Sequence, residues 1–333
     1  MNKPSPFRTS NKKNRSAVSL KAAPFFRRSI GLMLGLYISI GQVRAQDPVL
    51  PPTNLGSANI FDGFAGEPGF VYQTFAQSFM TRGLYNSRGE KLPTDLKVNS
   101  TLVMNQLIYM SKVKVLNGNL GFTLLIPAVQ INASAPEGNA PSVNPNVLAD
   151  PTWGTFIQWP KTTLFGKPIY QRTEIDVTLP VGSYDNRYTI NASSHLWFYS
   201  VYHALTLMVD KRFSISTRNQ FNYSSRYIGG QGKPGAFYNG NYSLEYLVLP
   251  KVRVEAVAYF LKQVGEDSYN GDHQYYQRTF GTGSTKEKVL SIGPGIAYFV
   301  QGGPLVEAKI FFESDVRQRF GGTRPTVRIL MPL

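Results

Sequence analysis

The sequence predicts an all-β fold, a transmembrane antiparallel up-and-down β-barrel of about 12 strands and of the bacterial outer-membrane type, over residues 70–333. Three observations predict it: period-two segments are bounded by turn residues, their connections alternate between long and short, and the segments are long. A membrane barrel has long loops on one side and tight turns on the other. A soluble sandwich has no reason to sort its loops by side.

Strands are expected at 70–85, 96–112, 119–134, 152–161, 168–183, 194–209, 212–227, 237–249, 252–265, 286–301, 304–318 and 323–333. Long connections fall at 86–95, 135–151, 184–193, 228–236 and 266–285, and short ones at 113–118, 162–167, 210–211, 250–251 and 302–303. Only 319–322 breaks the succession, being short where a long one is due. Soluble strands average about 5–6 residues, and roughly 9–11 are needed to cross a bilayer.

Alternate residues of a barrel wall meet lipid and lumen. In 304–318, Val306, Ala308, Ile310, Phe312 and Val316 oppose Glu307, Lys309, Glu313, Asp315 and Arg317. In 252–263, Val252, Val254, Ala256, Ala258 and Phe260 oppose Arg253, Glu255, Tyr259 and Gln263. The segments 168–181 and 213–223 repeat the pattern. Tyr85, Trp197, Tyr199, Tyr223, Tyr238, Tyr259 and Phe260 cluster toward the long loops, as an interfacial girdle would. Two features fit less well. His203 falls on the lipid parity between Val201 and Leu205, for which a nearby bulge is the expected reason. The chain ends in Leu333, where such barrels usually carry an aromatic residue.

The net charge of +15 does not mark a nucleic-acid binder. Residues 1–45 hold nine basic residues and no acid; taking them from the 35 basic residues leaves 26 against 20 acidic ones. That leader reads as a signal peptide: a basic region ending at Arg28, the apolar run 30–40, and Val43-Arg44-Ala45 before an expected mature start at Gln46. No later stretch approaches the roughly 20 apolar residues of a spanning helix. The absence of cysteine excludes a thiolate nucleophile, a disulfide framework and cysteine-ligated metal.

With the short turns facing the periplasm, the inward ionisable residues of the periplasmic half and near mid-membrane form a lumen charge belt: Arg172, Glu174, Asp176, Arg218, Glu245, Arg253, Glu255, Glu307, Lys309 and Arg328. A single-sign ring would argue for ion selectivity. Five bases against five acids argue for mutual pairing, which narrows or closes the lumen, with a polar conduit as the alternative. Residues 46–69, with Pro48, Pro51 and Pro52, form either a periplasmic tail or a partial plug.

Catalytic patterns are sparse. His195, His203 and His273 lack a zinc-ligand spacing, and neither a Gly-x-Ser-x-Gly motif nor a phosphate-binding glycine loop is present. Ser291-Ile292-Gly293-Pro294-Gly295 reads as a strand kink. Ser200 with His203 is the one place to look for a wall-embedded hydrolase. Glu266, Asp267, Asp272 and His273 read as a solvated loop before a cation site. The expectation is a non-enzyme with no cofactor and no metal.

Several short motifs resemble a family. They are Pro68-Gly69-Phe70-Val71, Gly89-Glu90-Lys91-Leu92-Pro93, Ala149-Asp150-Pro151, Trp159-Pro160, Leu179-Pro180-Val181-Gly182-Ser183-Tyr184-Asp185, Tyr223-Ser224-Ser225-Arg226-Tyr227, Gln263 with Asp267, and Leu290 through Tyr298. From about Gly69 to near residue 300 the chain resembles outer-membrane barrels of the meta-pathway of phenol degradation family. Ala149 and Val181 depart from the family's usual glycine and threonine. The resemblance implies movement of hydrophobic or aromatic compounds across the outer membrane and carries over no individual site residue.

The function expected is an outer-membrane channel or transporter for small hydrophobic or aromatic solutes by passive diffusion. The alternative is a plugged barrel with a structural or surface-binding role through its long loops. Expected partners are outer-membrane lipid, lipopolysaccharide and, during biogenesis, the barrel-assembly machinery; nucleic acid is not among them.

Overall fold

The computed structural model describes residues 50–57 and 60–333. The leader expected over 1–45 lies outside the described residues. Twelve long strands follow in chain order: β1 Gly69–Tyr85, β2 Lys97–Val115, β3 Gly118–Ser134, β4 Thr152–Gln158, β5 Lys167–Thr178, β6 Phe198–Met208, β7 Phe213–Ser224, β8 Phe237–Leu249, β9 Val252–Gln263, β10 Lys288–Phe299, β11 Leu305–Arg317 and β12 Arg319–Pro332. Each pairs antiparallel with its chain neighbours. β12 returns to β1 from Val71↔Pro332 to Tyr85↔Arg319, which closes the ring.

Long and short connections alternate around this ring. On the turn side, Leu116 and Asn117 (φ 51° and 67°) form a two-residue hairpin turn, as do Phe165 and Gly166 (φ 51° and 71°). On the loop side, the connection between β9 and β10 holds a short helix, α1, Tyr275–Phe280. The outward face is apolar: Ile175, Val201, Phe221, Val254, Ile292, Ile296 and Val327 are all exposed on it. A continuous apolar band of this kind belongs in lipid. Among the described residues no helix is long and apolar enough to cross a membrane.

Several strand details differ from the sequence reading, each for a local reason. The strand expected at 152–161 breaks after Gln158, because Pro160 lacks the N–H a ladder needs; Thr162–Leu164 resumes pairing with β5. At the expected kink β10 continues as a strand, but its ladder with β11 skips Gly293 and Pro294 between Ile292↔Phe312 and Gly295↔Lys309. A Cβ at Gly293 would stand 1.7 Å from the carbonyl oxygen of Ile310, so the glycine permits close approach of β11. No bulge underlies His203: the registers of β6 against β5 and β7 run without a shift. The imidazole is outward and exchanges a hydrogen bond of 3.0 Å with the Thr173 hydroxyl.

The largest departure is at the top of β11. Asp315 has a left-handed backbone (φ 44°) and the register against β10 slips between Lys288 and Leu290. The faces therefore exchange: Val316 turns into the lumen, whereas Asp315 and Arg317 turn outward. The expected connection 319–322 contracts to Gln318 alone, yet the β11–β12 ladder runs only from Leu305↔Leu330 to Phe312↔Thr323. Beyond it, β11 pairs only with β10 and β12 only with β1. The wall there is bridged by side chains. Glu313 accepts from the Gly322 N–H at 2.8 Å, from Arg324 Nε at 2.9 Å and from the Tyr259 hydroxyl at 2.7 Å. Tyr259 thus faces the lumen and is not part of an outer girdle; Trp197, Tyr199 and Tyr223 remain exposed.

Candidate functional site

Strand alternation turns one side chain in two toward the lumen, and the chain before β1 fills the space between them. Near the loop side, the backbone of Leu50 reaches the Glu287 carboxylate. The chain then passes Asn239 and Asn241 on β8, Arg328 on β12, Thr206 on β6 and Gln158 on β4 before β1 starts on the turn side. Such an extended segment has no ladder to satisfy its backbone, and buried amides must be paired. Wall side chains pair them. The N–H groups of Gly56, Phe61, Gly63 and Ala65 donate to Asn241 (2.7 Å), Ser216 (3.1 Å), Thr206 (3.0 Å) and Gln158 (2.8 Å). The carbonyls of Asn54, Leu55, Ile60 and Gly63 accept from Asn239 and Asn241, Gln77, Arg328 and Gln158. Gly63 lies hard against the wall: a Cβ there would be 2.4 Å from both the Thr206 nitrogen and the Tyr170 carbonyl oxygen.

Apolar contacts reinforce these bonds. Leu50 and Leu55 join an inward cluster on the loop side that includes Leu196, Phe198, Phe237, Val257, Tyr259, Leu261, Val289, Phe311 and Val316. Ile60 packs with Ala297 and Leu305, and Ala65 with Ile108, Met110 and Phe156.

The ten ionisable residues singled out from the sequence lie in two groups within the wall. Arg172, Glu174, Asp176 and Arg218 gather on β5 and β7 around Asp62, a residue of the inserted segment. Arg218 clamps Asp62 with two bonds of 2.6 and 2.7 Å, and Arg172 approaches it at 3.5 Å. Arg172 also lies 3.6 Å from Glu174, which accepts a hydrogen bond from the Tyr202 hydroxyl. The Arg218 guanidinium sits 4.0 Å from the Tyr202 ring centroid. Ser200 donates to Asp176 at 3.2 Å.

The remaining six occupy β8, β9, β11 and β12. Glu307 pairs with Lys309 at 2.6 Å and with Arg328 at 3.3 Å. Glu245 accepts from Ser214 and Ser243. Arg253 donates to the Arg212 carbonyl and stacks over Phe61 at 4.9 Å. Glu255 alone has no hydrogen-bond partner on either carboxylate oxygen among the described residues.

Asp62 is the site residue that sequence reasoning missed. Its one local signal is an acid inside the apolar stretch Ile60-Phe61-Asp62-Gly63-Phe64. Arg324 was missed as well; it pairs at 2.9 Å with Glu313, a residue the alternation had already turned inward. The Ser200–His203 pair is not assembled. Ser200 points inward and His203 outward, as residues three apart on one strand must. Among the described residues no cluster of three or more histidine or carboxylate side chains could hold a metal. In the β9–β10 loop, Glu266 instead accepts from Gln277, Ser284 and Thr285, and Asp272 pairs with Arg278.

Asp267 of that loop provides a pH handle outside the strands. It accepts from the Gly235 N–H at 2.7 Å and from Gln263 Nε2 at 2.6 Å. Burial pushes its carboxyl up to about 7 against those two bonds, with Glu287 adding repulsion. A carboxyl raised in the folded state stabilises it fully below the ordinary value of 3.8 and loses that contribution as pH rises through about 7. Hydrogen exchange at Gly235, corrected for intrinsic base catalysis, is expected to quicken from pH 5 to pH 8 in the native protein and to stay level in Asp267→Asn.

A closed twelve-stranded wall with an apolar outside, sorted loops and a polar lumen that holds residues of the segment before β1 defines an outer-membrane-type barrel. Residues 81–329 match the family model described as "Putative MetA-pathway of phenol degradation", and the chain belongs to that family. Its fold is similar to an outer membrane channel from Pseudomonas putida F1, with a TM-score of 0.67 at 12% identity over 86% of this chain and 100% of that one. Weaker likenesses include the translocator domain of the autotransporter NalP from Neisseria meningitidis (TM-score 0.40, 10% identity, 92% of this chain and 96% of that one). Another is the transport unit of the autotransporter AIDA-I from Escherichia coli (0.43, 8%, 90% and 96%). No curated protein matches the chain by sequence.

Proposed function

We propose that the chain is a passive channel of the bacterial outer membrane for small hydrophobic or aromatic compounds, held shut at rest by its own segment 50–66. The observation that carries this reading is the layered lumen. An aromatic cluster of Phe198, Phe237, Tyr259 and Phe311 on the loop side, filled at rest by Leu50 and Leu55, stands above a charge belt in which Arg218 pairs with Asp62 and Glu307 with Lys309. A vestibule of this kind favours molecules with an apolar body and one polar group, because it buries the body while the polar end reaches the belt. The outer-membrane-type fold and the family of phenol degradation support the location and the solute class. A diffusive route is the reading we adopt for this channel.

Flux into proteoliposomes tests the proposal. The native protein is expected to admit a small phenolic solute faster than a sugar of similar size. Equal exclusion of both would favour the other reading, a permanently plugged barrel acting through its loops. In the belt, Arg253→Gln with Glu255→Gln is expected to raise ion leak by about a factor of two or more, since Arg253 would no longer stack over Phe61 of the inserted segment or hold the Arg212 carbonyl, which leaves room for water. Unchanged leak would remove the belt from the barrier.

A further inference from the structure

The outer wall carries an arrangement that a barrel does not need for its own stability. On the loop-side rim, Lys262 of β9 is the direct cross-strand partner of Lys288 of β10, and Lys288 is the partner of Arg317 of β11. Like charges directly opposed on neighbouring strands repel. One acid sits among them: Asp315 contacts Lys288 and lies 3.3 Å from Arg317. Lys262 makes no ion pair among the described residues. Across the bridged part of the wall, Arg82 of β1 continues the row, held by bonds of 2.9 and 2.7 Å to the Thr323 hydroxyl.

The row lies at a chemical boundary. Lys262 is two residues beyond Phe260, Lys288 two before the exposed Leu290, and Arg82 two beyond the exposed Met80, so each cation occupies the first outward position past the apolar band. The rim of the opposite wall has exposed Trp153, Trp197 and Tyr199 instead. A cleft of about 190 Å³ opens beside the row, lined by Tyr85, Arg88, Gly89, Asp315 and Arg317 among others. Arg317 lies along Gly89, which brings the cleft against the cationic row.

We propose that Lys262, Lys288, Arg317 and Arg82 form a docking surface for the phosphates of the glycolipid of the outer leaflet, lipopolysaccharide, with its acyl chains against Phe260, Leu290 and Phe312. The position past the apolar band is where a lipid headgroup phosphate lies, and three opposed cations sharing one acid need further anions. Surface cations near an anionic lipid layer each add attraction that salt weakens. The proposal rests on the outer-membrane placement given above but not on transport.

Binding is measured directly on the detergent-folded full chain with fluorescent lipopolysaccharide, with the same glycolipid stripped of phosphate, and with inorganic phosphate as competitor. The native protein is expected to prefer the phosphorylated glycolipid by at least about tenfold, and that preference should shrink with salt. Lys262→Gln with Lys288→Gln and Arg317→Gln should abolish it while heat-modifiability on gels stays native. Should the triple variant fold poorly, Lys262→Gln alone should still weaken binding. Equal binding of the two glycolipids, or an unchanged preference in either variant, would overturn the proposal. Full displacement by millimolar inorganic phosphate would do the same, by showing a free-anion site. Each of these results leaves the flux experiment unaffected.

Discussion

A chain lacking residues 50–66 is expected to conduct at least about threefold more current per channel than the intact protein, because twelve strands enclose a lumen wider than the side-chain-filled eight-stranded case. The intact lumen is occupied along its length. Leu50 and Leu55 fill the loop-side vestibule, Ile60 and Ala65 pack below, and Asp62 sits between two arginines. None of these residues belongs to the closing ladder, which runs from β1 to β12. The wall should therefore persist without the segment, and heat-modifiability on gels would confirm that it does. Conductance in a planar bilayer is the readout. A folded, truncated barrel that stays electrically silent would show that the belt and vestibule close the lumen by themselves.

Replacing Asp62 by alanine should come close to the same result without shortening the chain. Arg218 and Arg172 are buried with Asp62 as their shared counterion. Removing one partner of a buried ion pair costs about 3–5 kcal/mol, and without Asp62 the buried Arg218 would keep no ion-pair partner, whereas Arg172 would keep Glu174. Here that cost falls on the inserted state alone, since a withdrawn segment would leave both guanidinium groups free to hydrate. Protection of the Phe61 and Gly63 amides against hydrogen exchange should fall by about a hundredfold or more. Arg218→Asp should loosen the segment as well. Combining it with Asp62→Arg should restore only part of the protection, because the new cation also meets Arg172. Native protection in Asp62→Ala would mean that the backbone bonds to Asn241, Ser216, Thr206 and Gln158 hold the segment without help from charge.

What could be read from the sequence was what is written locally. The turn at 250–251 and the loop at 135–151 fall where the alternation placed them, because period-two patterning and turn residues sit within a few positions of each other. The ends of β5 and β6 were less legible. Apolar residues continue through Leu179–Val181 and Trp197, but the chain has left the ladder there, and Asp150 instead ties down the loop through Gly182, Ser193 and Ser194. The exchange of faces at Asp315 depends on a left-handed residue that is not glycine, for which composition offers no cue. The site divides in the same way. Alternation alone brought the ten belt residues into view. Asp62 was hidden because its partner Arg218 is 156 positions away in the chain, and no local pattern encodes such a pairing.

The bonds between the inserted segment and the wall also determine what opening means for water. Asn241, Ser216, Thr206, Gln158, Gln77 and Asn239 now spend their hydrogen-bonding capacity on a peptide backbone. Were the segment to withdraw, every one of those amides and hydroxyls, and the backbone it held, would have to be hydrated. Under the proposed function, opening would thus be a wetting transition, coupled to water activity as well as to charge, and solutes excluded from the lumen would favour the shut form by osmotic means alone.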